Sequence, residues 1–368
     1  MINTLQSRFI DLVRGSAAAA VLLHHYLKHY ANNGAYAVPD FGQEAVMVFF
    51  VLSGFVIALV SETNERDFVT FVIKRLSRFY SVVVPGVVIL LGCYVLTMHI
   101  DPSIYPKSHN LNHGFVKIVA ALTFTNHNAF LNEFILPGGG PFWSLSYEFW
   151  YYFLFACIFL ISNKVASLLG FSLIAAFLGN AAMLLFPVWC QGVIAFKFFK
   201  HVKISGRVAW MLCIFGALLA LGLYLSGLRD TIFNVEAVFH RSFDRAGYFP
   251  YYYLFAIGIS ANIVGSLSLL RDRGIKIPYL VDIGIQRVAQ TSFFLYITHM
   301  PLMFLLKATI GAVAGPASIP LATWLLVLIV GKPVEDLRFP LQRLLWAGYN
   351  LTRDKVSNRR RKEYPLTV

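Results

Sequence analysis

Ten long apolar stretches constrain the fold of this chain more than any other feature of its sequence. A helix needs about 20 mostly apolar residues to cross the hydrocarbon core of a bilayer. The stretches lie at residues 9–29, 43–61, 79–100, 145–162, 165–186, 188–200, 207–226, 247–269, 291–313 and 317–333. Charged residues make up only 13% of the chain, about half of the roughly 25% found in soluble domains. We therefore predict an all-α fold, a polytopic membrane helical bundle of about ten transmembrane helices.

The distribution of Lys and Arg predicts which ends of the helices face the cytoplasm. If the N-terminus lies inside, 24 of the 31 Lys and Arg residues fall on the cytoplasmic side, and an excess of positive charge marks that side. Both termini are therefore expected in the cytoplasm, with residues 1–335 forming the membrane domain and 336–368 a basic cytoplasmic tail. The net charge of +13 then follows from topology and from attraction to anionic lipid, so no nucleic-acid partner is expected.

The first apolar stretch contains two ionisable side chains, Arg14 and His25. Such residues are costly in lipid, so they usually face a protein interior or a wet cavity. Eleven residues of helix place Arg14 and His25 on one face, about 16 Å apart along the axis, whereas His24 points about 80° away from Arg14. The pattern predicts a site that grips an anion at one depth and carries out proton chemistry at another.

Two further groups of polar residues stand where apolar stretches begin. Arg75 and Arg78 are neighbours on a helix that enters the third span, and guanidinium pairs suit phosphate, although a simple cytoplasmic anchor would have the same sequence. Trp143, Tyr147 and Glu148 open the fourth span, where Trp and Tyr alone would indicate an interfacial belt. Because acids are rare in spans, Glu148 is expected either to orient or charge-stabilise a histidine or to interact with the helix N-terminus.

Two pairs of residues give weaker signals. Tyr296 and His299 lie one turn apart in the ninth span, where a packed, hydrogen-bonded position is the alternative to a position at a substrate. His109 and His113 have the i, i+4 spacing of metal ligands, but they fall in a loop and lack a third ligand. No metal is therefore expected.

Five short motifs follow one another along the chain. They are Arg14-x10-His25, Phe-Phe-Val-Leu-Ser-Gly-Phe within residues 46–55, Arg75-x-x-Arg78, Trp143-Ser-Leu-Ser-Tyr-Glu148 and Phe294-Leu-Tyr-Ile-Thr-His299. Together they resemble the acyltransferase-3 family of integral membrane acyltransferases. That family often has an acid just before the Lys332-Pro333 pair, where this chain has Gly331, and Glu335 is therefore given no role.

The resemblance implies transfer of an acyl group, usually acetyl, from cytoplasmic acyl-CoA to a carbohydrate hydroxyl. The acceptor is then a surface polysaccharide or a lipid-linked glycan, and the expected location is the cell membrane, in bacteria the inner membrane. Acetyl-CoA, or another acyl-CoA, is the expected donor substrate, and no metal takes part. Arg14, Arg75 and Arg78 are expected to bind the polyanionic CoA on the cytoplasmic side.

In the implied reaction His25 is the general base that activates an acceptor hydroxyl arriving from outside. Glu148 is expected to polarise His25 or to stabilise its protonated form. A transient acyl-enzyme on His25 is the alternative mechanism. Two other classes of protein remain open: a proton-coupled transporter would also bury His, Glu and Arg, and a membrane scaffold is the third possibility. Only the acyltransferase is expected to bind CoA tightly from the cytoplasmic side and to release free thiol.

Overall fold

The computed structural model describes residues 2–31, 40–130, 134–240, 242–311, 313, 315 and 317–363. These residues form helices and no β-strand. The helices are α1 (Thr4–Tyr26), α2 (Gly42–Thr63), α3 (Phe68–Ile100), α4 (Gly114–Leu122), α5 (Phe142–Phe159), α6 (Lys164–His201), α7 (Gly206–Leu225), α8 (Leu228–Thr231), α9 (Val235–Phe239), α10 (Phe249–Leu269), α11 (Tyr279–Ile310), α12 (Ser318–Asp336) and α13 (Arg338–Glu363). The predicted all-α class is confirmed.

Seven helical segments of the described chain are long and apolar enough to cross a membrane. They are α2, α3, α6, α7, α10, α11 and a segment that runs through α12 into α13, Ser318–Arg353. Helix α1, which contains Arg8, Asp11 and Arg14, falls outside this set, and so does the aromatic helix α5. Both pack against other helices of the bundle, α1 against α2 and α11, and α5 against α6. The chain is therefore a multi-pass membrane protein, while the count of ten and the side of the termini stay predictions.

Helix α6 replaces two of the predicted spans and reverses direction at Gly179, whose φ of 77° and ψ of −174° are not helical. Before this glycine, Ser167 donates a hydrogen bond to the carbonyl of Cys157 in α5 (2.6 Å), and Phe177 packs on Trp150 (ring centroids 5.1 Å apart). After this glycine, α6 runs back along α5 in the opposite direction. The Tyr151 hydroxyl donates a hydrogen bond to the Ala182 carbonyl, and further on Lys197 lies over the Phe159 ring. The predicted break near residue 187 is wrong, because Pro187 is accommodated inside the second arm.

Helices α1 and α11 lie side by side and run in the same direction. At one end, which we call the inner end, Arg8 forms an ion pair with Asp282. Midway, Gly15 packs closely on Val288, since a Cβ there would lie 2.7 Å from Cγ1 of Val288. At the other end, the outer end, His25 meets His299. Helix α11 thus packs along one face of α1 from Arg8 to His25.

Helices α2 and α6 approach each other closely through two glycines. A Cβ on Gly54 would lie 2.1 Å from the Trp189 carbonyl oxygen, and a Cβ on Gly192 would lie 2.0 Å from the Val51 carbonyl oxygen. Glycines thus let the two helix backbones come into direct contact. Small residues have this role in membranes, where apolar burial alone gives no preference for protein over lipid. This contact fixes α2, whose other face lines the cavities described next.

Candidate active site

Two of the cavities in the bundle meet at Val46 and Tyr296. The inner cavity has a volume of about 70 Å³, and its polar lining consists of Arg14, Ser53, Arg75, Arg78, Glu148 and Tyr152, with Ser144, Ser292 and Tyr296 beyond. The outer cavity has a volume of about 350 Å³ and is lined by His24, His25, His29, Asp40, Trp143 and Arg245, among others. Val46 and Tyr296 belong to both walls, so these side chains lie between an arginine-lined space and a histidine-lined one.

The three arginines of the inner cavity differ in how fully their charges are offset. Arg75 is buried and donates two hydrogen bonds from Nη2 to Glu65, at 2.6 and 2.8 Å. Arg14 lies 4.0 Å from the Asp11 carboxylate. The guanidinium of Arg78 makes no hydrogen bond or ion pair with any described residue. Arg78, and to a lesser degree Arg14, is therefore the cation most available to an anionic ligand, whereas Arg75 must also hold Glu65.

Glu335, to which no role was assigned from the sequence, lies beside this cluster. Its carboxylate interacts electrostatically with Arg14 and Arg78, and its Oε1 is buried without a hydrogen-bond partner. The signal that could have found it is its position at the end of an apolar window, where an acid is costly unless it is paired. Glu335 serves as a counter-charge to arginines that otherwise repel each other.

Two hydrogen-bond acceptors, the Val21 carbonyl oxygen and His299 Nε2, lie next to Nδ1 of His25. His299 Nδ1 donates to the carbonyls of Tyr296 (2.9 Å) and Leu295 (3.1 Å), so the neutral His299 ring carries its lone pair on Nε2. That atom lies 3.3 Å from His25 Nδ1, which also lies 2.9 Å from the Val21 carbonyl oxygen. These acceptors assign the proton of His25 to Nδ1. His25 Nε2 then carries the free lone pair, and it has no partner among the residues the structure describes.

Glu148 does not contact His25, contrary to the expectation that it would orient or polarise this histidine. Its Oε1 accepts a hydrogen bond from the Tyr152 hydroxyl at 2.6 Å, and it lines the inner cavity rather than the outer one. Tyr152 in turn accepts a bond from Ser53 (3.1 Å). The reason is helical phase: one turn along α5 connects Glu148 to Tyr152 and points both toward the arginines. His299 occupies the position next to His25 that the sequence had suggested for Glu148.

His24 also lines the outer cavity, on a different wall from His25. Its ring is buried, its Nε2 lies 3.5 Å from Asp40, and it packs edge-on against Phe41. Asp40 is shared with Arg229, whose guanidinium lies 3.6 Å away. Helical phase thus separates the two histidines as predicted, since His24 joins an ion-pair network at the start of α2 while His25 joins α11.

The boundary between the cavities is a hydrogen bond between α5 and α11. The Tyr296 hydroxyl lies 2.5 Å from Ser144 Oγ, and the Tyr296 ring packs edge-on against Phe49. Trp143, one residue earlier, faces the outer cavity, and Tyr147 supports it from behind with an edge-to-face contact (ring centroids 5.6 Å apart). The block that opens α5 therefore forms the partition and one wall of the outer cavity.

Arg245 projects into the outer cavity from the loop between α9 and α10. Its guanidinium carbon lies 5.7 Å from the centroid of the Trp143 ring, and its Nε lies 4.0 Å from Asp244. Behind it, His127 is buried with neither ring nitrogen hydrogen-bonded, and burial together with the charge of Arg245 lowers the pKa of His127 to about 4. Sequence reasoning missed Arg245, because nothing in the sequence says that this loop folds over the first helix.

The histidines of the outer cavity are not grouped like the ligands of a metal centre in the part of the chain that the structure describes. Within the described ranges no group of three or more His, Cys, Asp or Glu side chains is arranged to hold a metal ion. His109 lines the outer cavity, and burial and the nearby Lys117 lower its pKa. His113 packs instead against Phe134, so the two histidines with ligand spacing in the sequence point to different places.

The site residues predicted from the sequence are thus brought together around one partition. Arg14, Arg75, Arg78 and Glu148 lie on its inner side, and His25 and Trp143 on its outer side, with Tyr296 between. The sequence profile of the acyltransferase-3 family, described as an acyltransferase domain, matches residues 7–331. No curated protein and no solved structure is similar enough to match the chain.

Proposed function

Since the chain belongs to the acyltransferase-3 family and is a membrane acyltransferase, we propose that it moves an acyl group from cytoplasmic acyl-CoA to a glycan hydroxyl. Acetyl is the proposed acyl group and a surface or lipid-linked glycan the proposed acceptor. One observation carries the proposal: the arginine-lined cavity and the histidine-lined cavity meet at a single partition, Tyr296 with Ser144. A donor thioester from one side and an acceptor hydroxyl from the other would meet there.

The inner cavity suits the donor. CoA carries several phosphate charges, and arginine is the side chain best shaped for phosphate. Arg78 and Arg14 offer the least compensated charges, and Arg75 adds a third that is oriented by Glu65. When CoA arrives, its phosphates would take over from Glu335 as the partner of Arg14 and Arg78. The acyl-pantetheine arm would then extend along the cavity past Glu148 and Tyr152 toward Tyr296.

The outer cavity suits the acceptor and the base. His25 Nε2 carries the free lone pair of a neutral imidazole, the form of histidine that accepts a proton as a general base. In the proposed step it takes the proton of the acceptor hydroxyl while that oxygen attacks the thioester carbonyl. The tetrahedral intermediate collapses with loss of the CoA thiolate, which receives the proton from His25. The products are the glycan ester and free CoA thiol. An acyl-imidazole formed on the same Nε2 is the alternative.

His299 is the proposed positioning residue for this step. It holds the proton of His25 on Nδ1 through the 3.3 Å contact, which keeps Nε2 free before the reaction. When His25 becomes an imidazolium, the same contact shares the positive charge. This arrangement needs no carboxylate beside His25. Asp40 is the one acid among the described residues that line the outer cavity, and it is bound elsewhere, to His24 and Arg229.

Donor binding is the experiment that separates this function from a proton-coupled transporter. Purified protein in lipid nanodiscs is titrated with acetyl-CoA, and free thiol is measured after addition of a surface-glycan preparation. Tight binding and acceptor-dependent thiol release are expected. Arg14→Gln and Arg78→Gln should each weaken binding by about 10-fold or more, the value of one charge-assisted hydrogen bond, and Lys at either position should restore binding only in part.

The matched control is Arg207→Gln, which removes an exposed charge at the start of α7, outside both cavities. Its acetyl-CoA affinity should equal that of the unaltered protein. If acetyl-CoA does not bind to the unaltered protein, the proposed function is wrong. If it binds equally well to the Arg14 and Arg78 variants, the proposed donor site is wrong.

A further inference from the structure

The charges that line the outer cavity are mostly positive. Lys28 and Arg245 contribute full positive charges, and the titratable groups beside them are His24, His25, His29 and His109. Asp40, the one acid in the described part of this lining, is already shared between Arg229 (3.6 Å) and His24 (3.5 Å). A cavity with this lining attracts anions and disfavours cations, because positive walls raise the local concentration of negatively charged ligands.

Arg245 is the best-positioned of these charges. The loop that carries it is closed by Glu236, whose Oε1 accepts a hydrogen bond from the Phe243 backbone N–H (2.5 Å), and by the Val235 N–H bonded to the Gly247 carbonyl (3.0 Å). The guanidinium lies over Trp143, and Asp244 approaches only to 4.0 Å. Arg245 Nε is buried without a hydrogen-bond partner. A guanidinium that is held in place and left with an unsatisfied buried donor is prepared for an incoming acceptor atom.

The cavity also has the size and mixed character of a ligand site. Its volume of about 350 Å³ lies in the range of about 300–1,000 Å³ that is usual for small-molecule pockets. The Trp143 ring provides an apolar wall, and Gln43 and His29 provide polar groups. His25, the proposed base, lines the same cavity, so a ligand bound by Arg245 lies in the compartment of the reacting nitrogen.

We propose that the outer cavity recognises an anionic acceptor, with Arg245 binding an oxyanion of the glycan while a hydroxyl of the same glycan faces His25. The oxyanion is a carboxylate of an acidic sugar or a phosphate of a glycosyl phosphate linkage. This inference rests on the proposed function, because it identifies the outer cavity as the acceptor site. It narrows the acceptor from any surface or lipid-linked glycan to an acidic one.

The test measures binding in the absence of any acyl donor. Three probes are titrated onto protein in nanodiscs: a uronic acid oligosaccharide, the same oligosaccharide with its carboxyl groups reduced to alcohols, and a glycosyl diphosphate. At least one anionic probe should bind about 10-fold or more tightly than the neutral one, as one charge-assisted hydrogen bond predicts. Preference for the uronate identifies a carboxylate, and preference for the diphosphate identifies a phosphate. Added salt should reduce the preference only in part, because the site is partly buried.

Two substitutions locate the effect. Arg245→Gln should abolish the preference while leaving the affinity for the neutral probe within about a factor of two of its original value, and Arg245→Lys should retain part of it. Lys107→Gln, which removes an exposed charge from the loop after α3, is the matched control and should change nothing. Equal affinities for all three probes, binding of none of them, or a preference that survives Arg245→Gln would each overturn the inference.

The wild-type preference does not depend on how well a variant folds. If the anionic preference is found but no acyl group is ever transferred to a bound glycan, the proposed function fails while the anion site stands. If neutral and acidic glycans are acylated equally well, the anion site fails while the acyltransferase stands.

Discussion

A neutral histidine can act as a base only through the nitrogen that carries no proton, and in His25 its surroundings decide which nitrogen that is. The backbone carbonyls of Leu295 and Tyr296 fix the tautomer of His299, and His299 together with Val21 fixes the tautomer of His25. The chain of assignments ends at His25 Nε2. In the proposed mechanism, a second histidine does the positioning that a carboxylate does in serine-protease triads.

His25→Ala is expected to abolish acyl transfer, while His24→Ala retains it. Loss of a general base costs about 10²- to 10⁴-fold in rate, whereas His24 belongs to the ion-pair network around Asp40. Transfer to a glycan acceptor is measured at matched protein levels in membranes. His24→Ala is the neighbouring control, and full activity of His25→Ala would remove His25 from the mechanism.

His299→Ala is expected to lower kcat by about 10²-fold, the typical cost of a misplaced catalytic group, with KM for acetyl-CoA nearly unchanged. Without His299 the His25 ring is free to place its proton on either nitrogen and to rotate. Steady-state kinetics give the split between kcat and KM, and the pH profile of kcat should shift as well. A purely structural role would instead lower the amount of folded protein and leave the kinetics of the remainder unaltered.

Residue-level reasoning from the sequence reached some of these side chains and missed others for a physical reason. Arg14 and His25 were found because they stand on one helix face at a separation that the helix itself sets. The contact between His25 and His299 was not predicted, because the two residues are 274 positions apart and only the packing of α1 on α11 brings them together. Glu335 was missed for the same reason, since its arginine neighbours lie on α1 and α3.

At the scale of single elements, hydropathy gave the middle of each helix but not its ends. Helix α3 begins at Phe68 rather than near residue 79. Asp67 caps it by accepting a hydrogen bond from the Thr70 N–H (2.8 Å), and Arg75 in its second turn bonds to Glu65, which lies before the helix. Helix α11 begins at Tyr279, where Asp282 pairs with Arg8. Polar first turns lower the average hydropathy, although tertiary ion pairs make them part of the same helix.

The corner between α2 and α3 depends on the buried Arg75–Glu65 pair. Arg75→Gln leaves the Glu65 carboxylate buried without its partner, which typically costs about 3–5 kcal/mol, so the thermal unfolding midpoint in detergent should fall clearly. The double variant Arg75→Gln with Glu65→Gln should recover most of this loss. If the single variant unfolds like the unaltered protein, the pair is not structural and Arg75 is free to serve CoA alone.

The contact between α2 and α6 depends on the absence of a side chain at Gly54. Gly54→Ala is expected to lower the stability by about 1–3 kcal/mol, because its Cβ would lie 2.1 Å from a backbone carbonyl oxygen. Gly222→Ala in α7 is the matched control, since no atom lies within 4 Å of a Cβ there, and its greater helix propensity should leave stability equal or slightly raised. Both are measured by thermal unfolding, and equal midpoints would show that the helices can separate without cost.

At the scale of the whole molecule, the proposed reaction is divided between two cavities at the two ends of one bundle. The inner end carries the ion pairs of Arg8 and Arg75, and the outer end carries the histidines and the loop of Arg245. The distribution of Lys and Arg along the chain predicts that the inner end faces the cytoplasm. Donor and acceptor would then enter from opposite sides, and the acyl group alone would pass the partition at Tyr296.

Donor and acceptor supplied on opposite faces of a sealed vesicle test this division most directly. The protein is reconstituted in vesicles whose orientation is determined by labelling cysteines introduced at Asn112 and Ser357, one expected outside and the other in the cytoplasm. Acetyl-CoA, which cannot cross the bilayer, is added only on the face of Ser357, and the glycan only on the other. We predict acylated glycan on the far face and free CoA thiol on the near one. Product formed only when donor and acceptor share one face would contradict the account.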